Sequence, residues 1–269
     1  MRIKSIDNDL NIFKCITFIE KIHKYFINNE PSADKSVTGL ISKFKPKFDE
    51  DKWSSIKAKS LGISQDEMKF IWKESNVFST TLGTYFHNIA ESYYTKKPLT
   101  LNKSNTISII GEEAYSNLKI SLSTLVRQFD KFYKQTRDIL EPVRNELVIG
   151  DINESKVCGT MDLLCYNKIT ERYEIYDFKT NKNISSRSEY KQMFLPPLEH
   201  IPLCEFNIYS LQLSIYKYIL EKYTNINIGA MYVVWFRRDS DSYETIEVTY
   251  YTSYVPSVLS SVKDRAYTY

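Results

Sequence analysis

Two aspartates interrupt stretches that are otherwise suited to burial. Asp162 lies within Val157-Cys158-Gly159-Thr160-Met161-Asp162-Leu163-Leu164-Cys165-Tyr166, and Asp177 follows Tyr173-Glu174-Ile175-Tyr176. Both runs have the apolar, aromatic content of β-strands. A carboxylate in such a setting is costly to desolvate unless it is paired or holds a cation. A fold that buries these strands must therefore bring positive charge to both. Side chains alternate between the faces of a strand, so Asp177 and Lys179 share one face while Phe178 points into a core on the other.

The rest of the chain predicts what surrounds those strands. Lys24 to Asn28 reads as a strand, and Ser36-Val37-Thr38 opens a short helix. Ser64 followed by Glu67 is a capping-box pattern for a helix running to about Glu74. Ser79, Thr80 and Thr81 offer N-caps for the next helix, through His87 to about Tyr94, and Pro98 with the polar stretch to Thr106 reads as a loop. Over 112–140, Leu118, Leu122, Leu125, Phe129 and Phe132 recur at spacings of four and three, one face of a long amphipathic helix. Lys119, Arg127, Lys131, Lys134 and Arg137 fall largely elsewhere on it and read as a solvated face before a DNA-contacting one. Pro142 is expected to stop this helix.

Strands at 145–151, 156–166 and 172–179 predict an antiparallel meander. A long connection, 180–205, leads to a helix at 206–222, strands at 228–237 and 243–251, and a terminal helix over 252–269. This order predicts an α/β fold, a mixed β-sheet flanked by helices. No repeat or clean linker divides it, so a single domain is expected: 1–78 as an N-terminal extension, 79–251 as the core, and the terminal helix.

Charge and composition exclude several functions. Lys+Arg 36 against Asp+Glu 33 leaves a net charge of +3, too balanced for coating nucleic acid by bulk charge. Cys15, Cys158, Cys165 and Cys204 show no C-x-x-C spacing, so reduced buried thiols are expected rather than zinc or a cluster. The N-terminus has no signal-peptide apolar core, and no stretch reaches the ~20 apolar residues of a membrane span. A soluble, cytoplasmic protein without membrane contact is expected. The 21 tyrosines beside 7 glycines, with abundant Lys, Ile and Asn, fit an AT-rich genome such as that of a phage, virus or low-GC bacterium. No phosphate-binding G-x-x-x-x-G-K-[ST] loop accompanies the chain, so no motor is expected.

Further polar residues fall on faces that can reach the aspartates. His87 shares a helix side with Thr84 and Glu91. Gln212 and Tyr216 stand one turn apart beside the core stripe Ile208, Leu211, Ile215 and Ile219. Gly159 leaves room for close approach of another group. Glu146 reads equally as a further acid acting through water or as a strand-edge charge. Acid-x-lysine spacing alone says nothing, since it recurs at Glu50-Lys52, Glu67-Lys69, Glu154-Lys156 and Glu189-Lys191. The apolar strand around Asp177 and the acidic strand before it single out Asp177-Phe178-Lys179.

In this order, Gly83 with His87, Gly159 with Asp162, Asp177 with Lys179, and Gln212 with Tyr216 resemble the PD-(D/E)xK nuclease superfamily, in its RecB-like exonuclease branch. The likeness spans residues 80–240, and Ser36-Val37-Thr38 resembles an entry segment of phage-type stand-alone members. No proline precedes Asp162, and the cysteines do not match the iron–sulfur ligands of some members, so no iron–sulfur cluster is expected. The resemblance implies a restriction-endonuclease-like fold holding one or two Mg²⁺ or Mn²⁺ ions on His87, Asp162, Asp177 and the Phe178 carbonyl. It implies that Lys179 acts on the attacking water, with Gln212 and Tyr216 ordering Lys179 or the phosphate. Glu91 is expected to orient the site from behind, as is Glu146 in its water-mediated reading. Ser36, Thr38, Lys182, Arg187 and Lys191 are expected to face substrate.

The implied activity is a DNA exonuclease that leaves 5′-phosphates in recombination, repair or replication. Single-stranded DNA or duplex ends would be the substrate, and a single-strand-annealing or replication protein the partner. A structure-specific or flap endonuclease, and a catalytically silent nucleic-acid-binding member, are the alternatives. Retention of His87, Asp162, Asp177 and Lys179 argues against silence. The 180–205 connection exceeds the usual loop of about 4–6 residues. Its Lys182, Arg187, Lys191, Tyr190 and Phe194 suit phosphates and stacked bases of a single strand, while a proline-braced surface loop is an equal reading.

Overall fold

Hydroxyls and amides at helix starts set much of the N-terminal half. The computed structural model describes residues 2–33, 36–97, 102–188 and 191–262. Helix α1 (Arg2–Leu10) leads to a small antiparallel sheet of β1 (Ile16–Ile19), β2 (Lys24–Ile27) and β3 (Glu30–Pro31). Ser36 caps α2 (Val37–Ser42) by accepting the Gly39 N–H, and Asp49 caps α3 (Glu50–Leu61) by accepting that of Lys52. Gly62, left-handed at φ 70°, ends α3. Ser64 then caps α4 (Gln65–Thr95) by accepting the Glu67 N–H, as the S-x-x-E pattern requires.

Two expectations fail here. The chain does not restart at Ser79–Thr81, because α4 is continuous to Thr95. Thr81 and Thr84 turn their hydroxyls back onto the Val77 and Thr80 carbonyls, so they stay within the helix. The boundary drawn at residue 78 thus falls inside one helix. Helix α5 (Lys103–Ile110) begins inside the stretch that reads as a loop, capped by the Asn102 side chain on the Asn105 N–H. Pro98 to Leu101 lie outside the described residues.

Helix α6 (Glu112–Thr136) buries the Leu118–Phe132 face, as its spacing predicts. Pro142 does not stop it. The helix has ended by Thr136, and Pro142 lies within β4 (Leu140–Gly150), beside a register irregularity. Strand β4 is a sheet edge, where a missing N–H is tolerated.

Strands β5 (Cys158–Asn167) and β6 (Arg172–Lys179) complete the expected meander. The connection 180–205 and α7 (Glu205–Tyr223) cross over to β7 (Ile228–Trp235), parallel to β6, and β8 (Glu244–Glu247) pairs antiparallel with β7. The result is a mixed five-stranded sheet in the order β4-β5-β6-β7-β8. Helix α8 (Val255–Ser260) follows, and residues from 263 lie outside the description. No helix among the described residues is long and apolar enough to cross a membrane.

The sheet separates two cores. On one face, α4 and α6 pack Phe86, Phe129 and Phe132 against Leu163, Phe178 and Phe236, with Phe129 edge-on to Phe178 at 5.3 Å between centroids. Each such ring contributes ~1.5–3 kcal/mol by burial. On the other face, α7, α8 and the N-terminal elements pack against Met161, Leu164, Ile175 and Val233. The 180–205 connection belongs to this second core: Phe194, Leu198 and Ile201 are buried, and the Leu195 N–H bonds the Phe44 carbonyl at 2.7 Å. Phe194, expected to stack on bases, is a core residue.

A buried acid ties α7 to the end of β4. Asp151 accepts the Ser155 N–H and hydroxyl, the Lys222 ammonium at 2.9 Å and the Tyr223 hydroxyl at 2.6 Å. Burial raises its pKa, but these donors outweigh it and hold the carboxyl below its ordinary value. A depressed folded pKa gives stability that is complete above the unfolded value of ~3.9 and lost as pH falls through the folded one. Asp151→Ala should cost about 3 kcal/mol in urea unfolding at pH 7, by stranding those donors. A loss under ~1 kcal/mol would contradict this, since surface changes fall near ±0.5.

Candidate metal centre and active site

Strand register gathers the acids. Asn145 pairs with Leu163 and Leu147 with Met161, which sets Glu146 across from Asp162. Pairing of β5 with β6 ends at Leu163 and Tyr176, and one step further Asp162 faces Asp177. Glu146, Asp162 and Asp177 thus form a row over three neighbouring strands. Like charges set opposite one another repel, so this row calls for cations.

The sheet also opens at this row. Strand β6 stays paired with β7 through Lys179, whereas the first half of β5 pairs only with β4. Asp162 Oδ2 takes the Phe178 N–H at 2.6 Å in place of a strand partner. Through this gap, side chains from both layers meet the acids: His87 from α4, and Gln212 and Tyr216 from α7. Glu146 adopts a left-handed φ of 47° within its strand, a strain of ~1–3 kcal/mol for a non-glycine residue of the kind found at ligand sites.

His87, Glu146 and Asp162 form one cluster. His87 Nδ1 lies 3.5 Å from Asp162 Oδ1 and 3.9 Å from Glu146 Oε1. One donor atom from each of the three falls within 4.8 Å of the others. Mg²⁺ and first-row ions hold such donors at ~2.0–2.2 Å, so a small inward movement would complete the site. Two carboxylates with one imidazole suit Mn²⁺ or Mg²⁺, the imidazole favouring Mn²⁺.

Asp177 stands outside that cluster. It is 1% exposed, and its Oδ2 lies 2.6 Å from Lys179 Nζ. That contact is an ion pair of poor alignment, because Oδ2 has no hydrogen-bond partner. Gln212 Nε2 reaches Asp177 Oδ1 at 3.5 Å and the Tyr216 hydroxyl at 3.4 Å. The expected ligand set is therefore gathered only in part. Glu146 takes a place beside His87 and Asp162, Asp177 is held by Lys179, and Phe178 meets Asp162 through its N–H.

The electrostatics describe acids held close at a cost. Burial, reinforced by Asp162 and opposed by Lys179 and His87, pushes Asp177 up to about 6. Burial likewise raises Asp162 above the usual carboxylate value against the pull of His87 and Lys179. For His87, burial disfavours the imidazolium, but Asp162 and Glu146 outweigh it and raise the pKa. Lys179 behaves alike: Asp177 and Asp162 overcome burial and keep it firmly protonated.

Sequence reasoning missed Tyr209. The Lys179 ammonium sits 5.1 Å from the centroid of its ring, a cation–π contact. The signal was the 209–212–216 spacing of three and four on α7, which puts all three residues on one side. Gly159 has a specific reason to be glycine: a Cβ there would lie 2.7 Å from Tyr216 Cε1. Gly159→Ala should displace the Tyr216 ring and cost about 1–3 kcal/mol, as overpacking does. Chemical denaturation measures this, and a neutral result would contradict the packing. At Gly83 a Cβ meets only an ordinary contact, 3.8 Å from Thr180 Oγ1.

The remaining expected residues lie further out. Ser36 and Thr38 bond each other at 3.1 Å at the start of α2. Ser36 also borders a cleft of about 230 Å³ with His23, Lys24 and Tyr25. Tyr25 reaches β5 beside the site, its hydroxyl 3.0 Å from Thr160 Oγ1. Lys182, Arg187 and Lys191 are exposed on the connection after β6, and Tyr190 is outside the described residues. Glu91 lies one turn past His87, and its side chain has no hydrogen bond or ion pair to His87 among the described residues. Comparison with protein-family models finds no match, and comparison with curated proteins finds no relative of this chain.

Proposed function

We propose that the chain is a divalent-metal-dependent deoxyribonuclease, an exonuclease acting on DNA ends in recombination, repair or replication. On this reading its sheet and helices form a restriction-endonuclease-like core, and it works in the cytoplasm, the host's if a phage encodes it. One observation carries the proposal: an imidazole and two carboxylates lie within 4.8 Å of one another, beside an acid–lysine pair 2.6 Å apart. That combination provides a cation site and a proton-bearing ammonium at the same place.

His87, Glu146 and Asp162 would hold the ion, with Asp177 next to them. When bound, the ion supplies Lewis-acid polarisation of a phosphate. The protein's own groups do the rest. The Phe178 N–H fixes the Asp162 carboxylate, and Gln212 orients Asp177. Asp177 and the Tyr209 ring hold the Lys179 ammonium in place. From there Lys179 orients the attacking water and stabilises charge growing on a phosphoryl oxygen. As the water oxygen bonds phosphorus in line, the bond to the 3′-oxygen breaks; one water proton ends on that oxygen, by way of solvent, so the products are a 5′-phosphate and a 3′-hydroxyl.

The test is incubation with end-labelled single- and double-stranded DNA in Mg²⁺, Mn²⁺ or EDTA. Short products released from one end, abolished by EDTA, are expected. Nicks in closed circular DNA would make the enzyme an endonuclease instead. Binding without any cleavage would overturn the hydrolytic reading.

A further inference from the structure

Away from the acids, the structure holds a groove of about 520 Å³ lined by Lys45, Lys47, Lys57, Phe48, Trp53 and Trp72, with Gln192 and Leu203 among the rest. Three lysines and three aromatic residues line it, and no carboxylate does among the described residues. Phe48 is 61% exposed, a large apolar ring left in water, and its centroid lies 5.9 Å from that of Trp72. Burial lowers the pKa of Lys45, with Glu205 pulling the other way. An arriving anion would favour its charged form. Lysines suit a phosphate backbone, and ring faces suit bases of any identity, since every base has a π-face. Duplex DNA, with its bases stacked inside, cannot offer those faces.

Two of the segments that line the groove also run to the acidic site. Trp72 and His87 share α4, 15 residues apart, which is ~22 Å along the axis at ~1.5 Å per residue. Gln192 and Leu203 belong to the connection that leaves β6 at Lys179. We infer that this groove binds single-stranded nucleic acid, stacking bases on Phe48 and Trp72 and pairing Lys45, Lys47 and Lys57 with phosphates. Its substrate class rests on the proposed nuclease reading, yet binding can be measured without cleavage.

The experiment is fluorescence anisotropy of a labelled oligothymidylate with the full chain in EDTA, over a range of salt. Lys47→Glu with Lys57→Glu, both exposed positions, should weaken binding at least about tenfold and lower the salt slope by about 1.4, two contacts at ~0.7 each. Phe48→Ala should weaken it about fivefold or more. The same charge change at the α6 control positions, Lys119→Glu on the helix with Arg137→Glu at its C-cap, should stay within about threefold of wild type, because nonlocal charge acts weakly at moderate salt. Wild-type affinity in the groove variants, an equal loss in the α6 variant, or equally tight groove-dependent binding of blunt duplex would each overturn the assignment. Cleavage by wild type with groove-independent binding sinks only the groove. Groove-dependent binding without cleavage in Mn²⁺ sinks only the nuclease reading.

Discussion

Lys179→Ala is expected to cut the cleavage rate by roughly 10²–10³-fold or more, the scale for losing a charge-stabilising donor, while the protein stays folded and still binds DNA. The ammonium stands beside the row of acids, 2.6 Å from Asp177 Oδ2. Removing it would ordinarily cost the ~3–5 kcal/mol of a broken buried pair. Here the loss is capped, because Asp177, already pushed up to about 6, can take up a proton. Single-turnover cleavage, urea unfolding and anisotropy in EDTA separate these effects. A variant that cuts at the wild-type rate would remove Lys179 from the chemistry.

Asp162→Asn is expected to lose roughly 10³-fold in rate, the equivalent of several kcal/mol of charge stabilisation, and to be at least as stable as wild type in EDTA. Asparagine can still accept the Phe178 N–H through its carbonyl oxygen. It no longer faces Glu146 and Asp177 with like charge, though it also gives up attraction to His87 and Lys179. The raised pKa of Asp162 shows that the charged form is disfavoured on balance, so neutralising it relieves the fold. Sites built for a ligand carry such stability costs. A loss beyond ~2 kcal/mol in EDTA would instead make Asp162 a structural partner of His87, since breaking buried pairs costs that much.

Much of the fold is written locally. The Ser64–Glu67 pattern, the Leu118–Phe132 spacing and the alternation through Asp177-Phe178-Lys179 each express one short-range rule, and the structure obeys them. The misreadings share a cause: a residue with two local uses. Thr81 can cap a helix or bond back within one, and α4 uses the second. Pro142 can end a helix or sit on a sheet edge, and β4 uses it there. Asn102 lies in a polar stretch that reads as a loop, yet its side chain opens α5.

The candidate site was legible to a different degree. The positions of Asp162 and Asp177 stood out because charge in an apolar strand is costly. Glu146 read evenly as an acid acting through water or a strand-edge charge, because its place across from Asp162 and its left-handed backbone arise only from pairing with β5. Tyr209 was not singled out from the sequence, and it is the Lys179 ammonium lying against its ring that marks it. Whether Gln212 faced solvent or the site depended on how α7 packs, and it is buried beside Asp177.

Titration with Mn²⁺, following loss of the free-ion electron paramagnetic resonance signal, tests the cation pocket most directly. Wild type should take up one or two ions, while Glu146→Gln combined with Asp162→Asn should weaken uptake by at least about 100-fold, each lost carboxylate removing a charged donor. Wild type that leaves all the manganese free, or a double variant that binds it as tightly, would contradict a metal site at this row of acids.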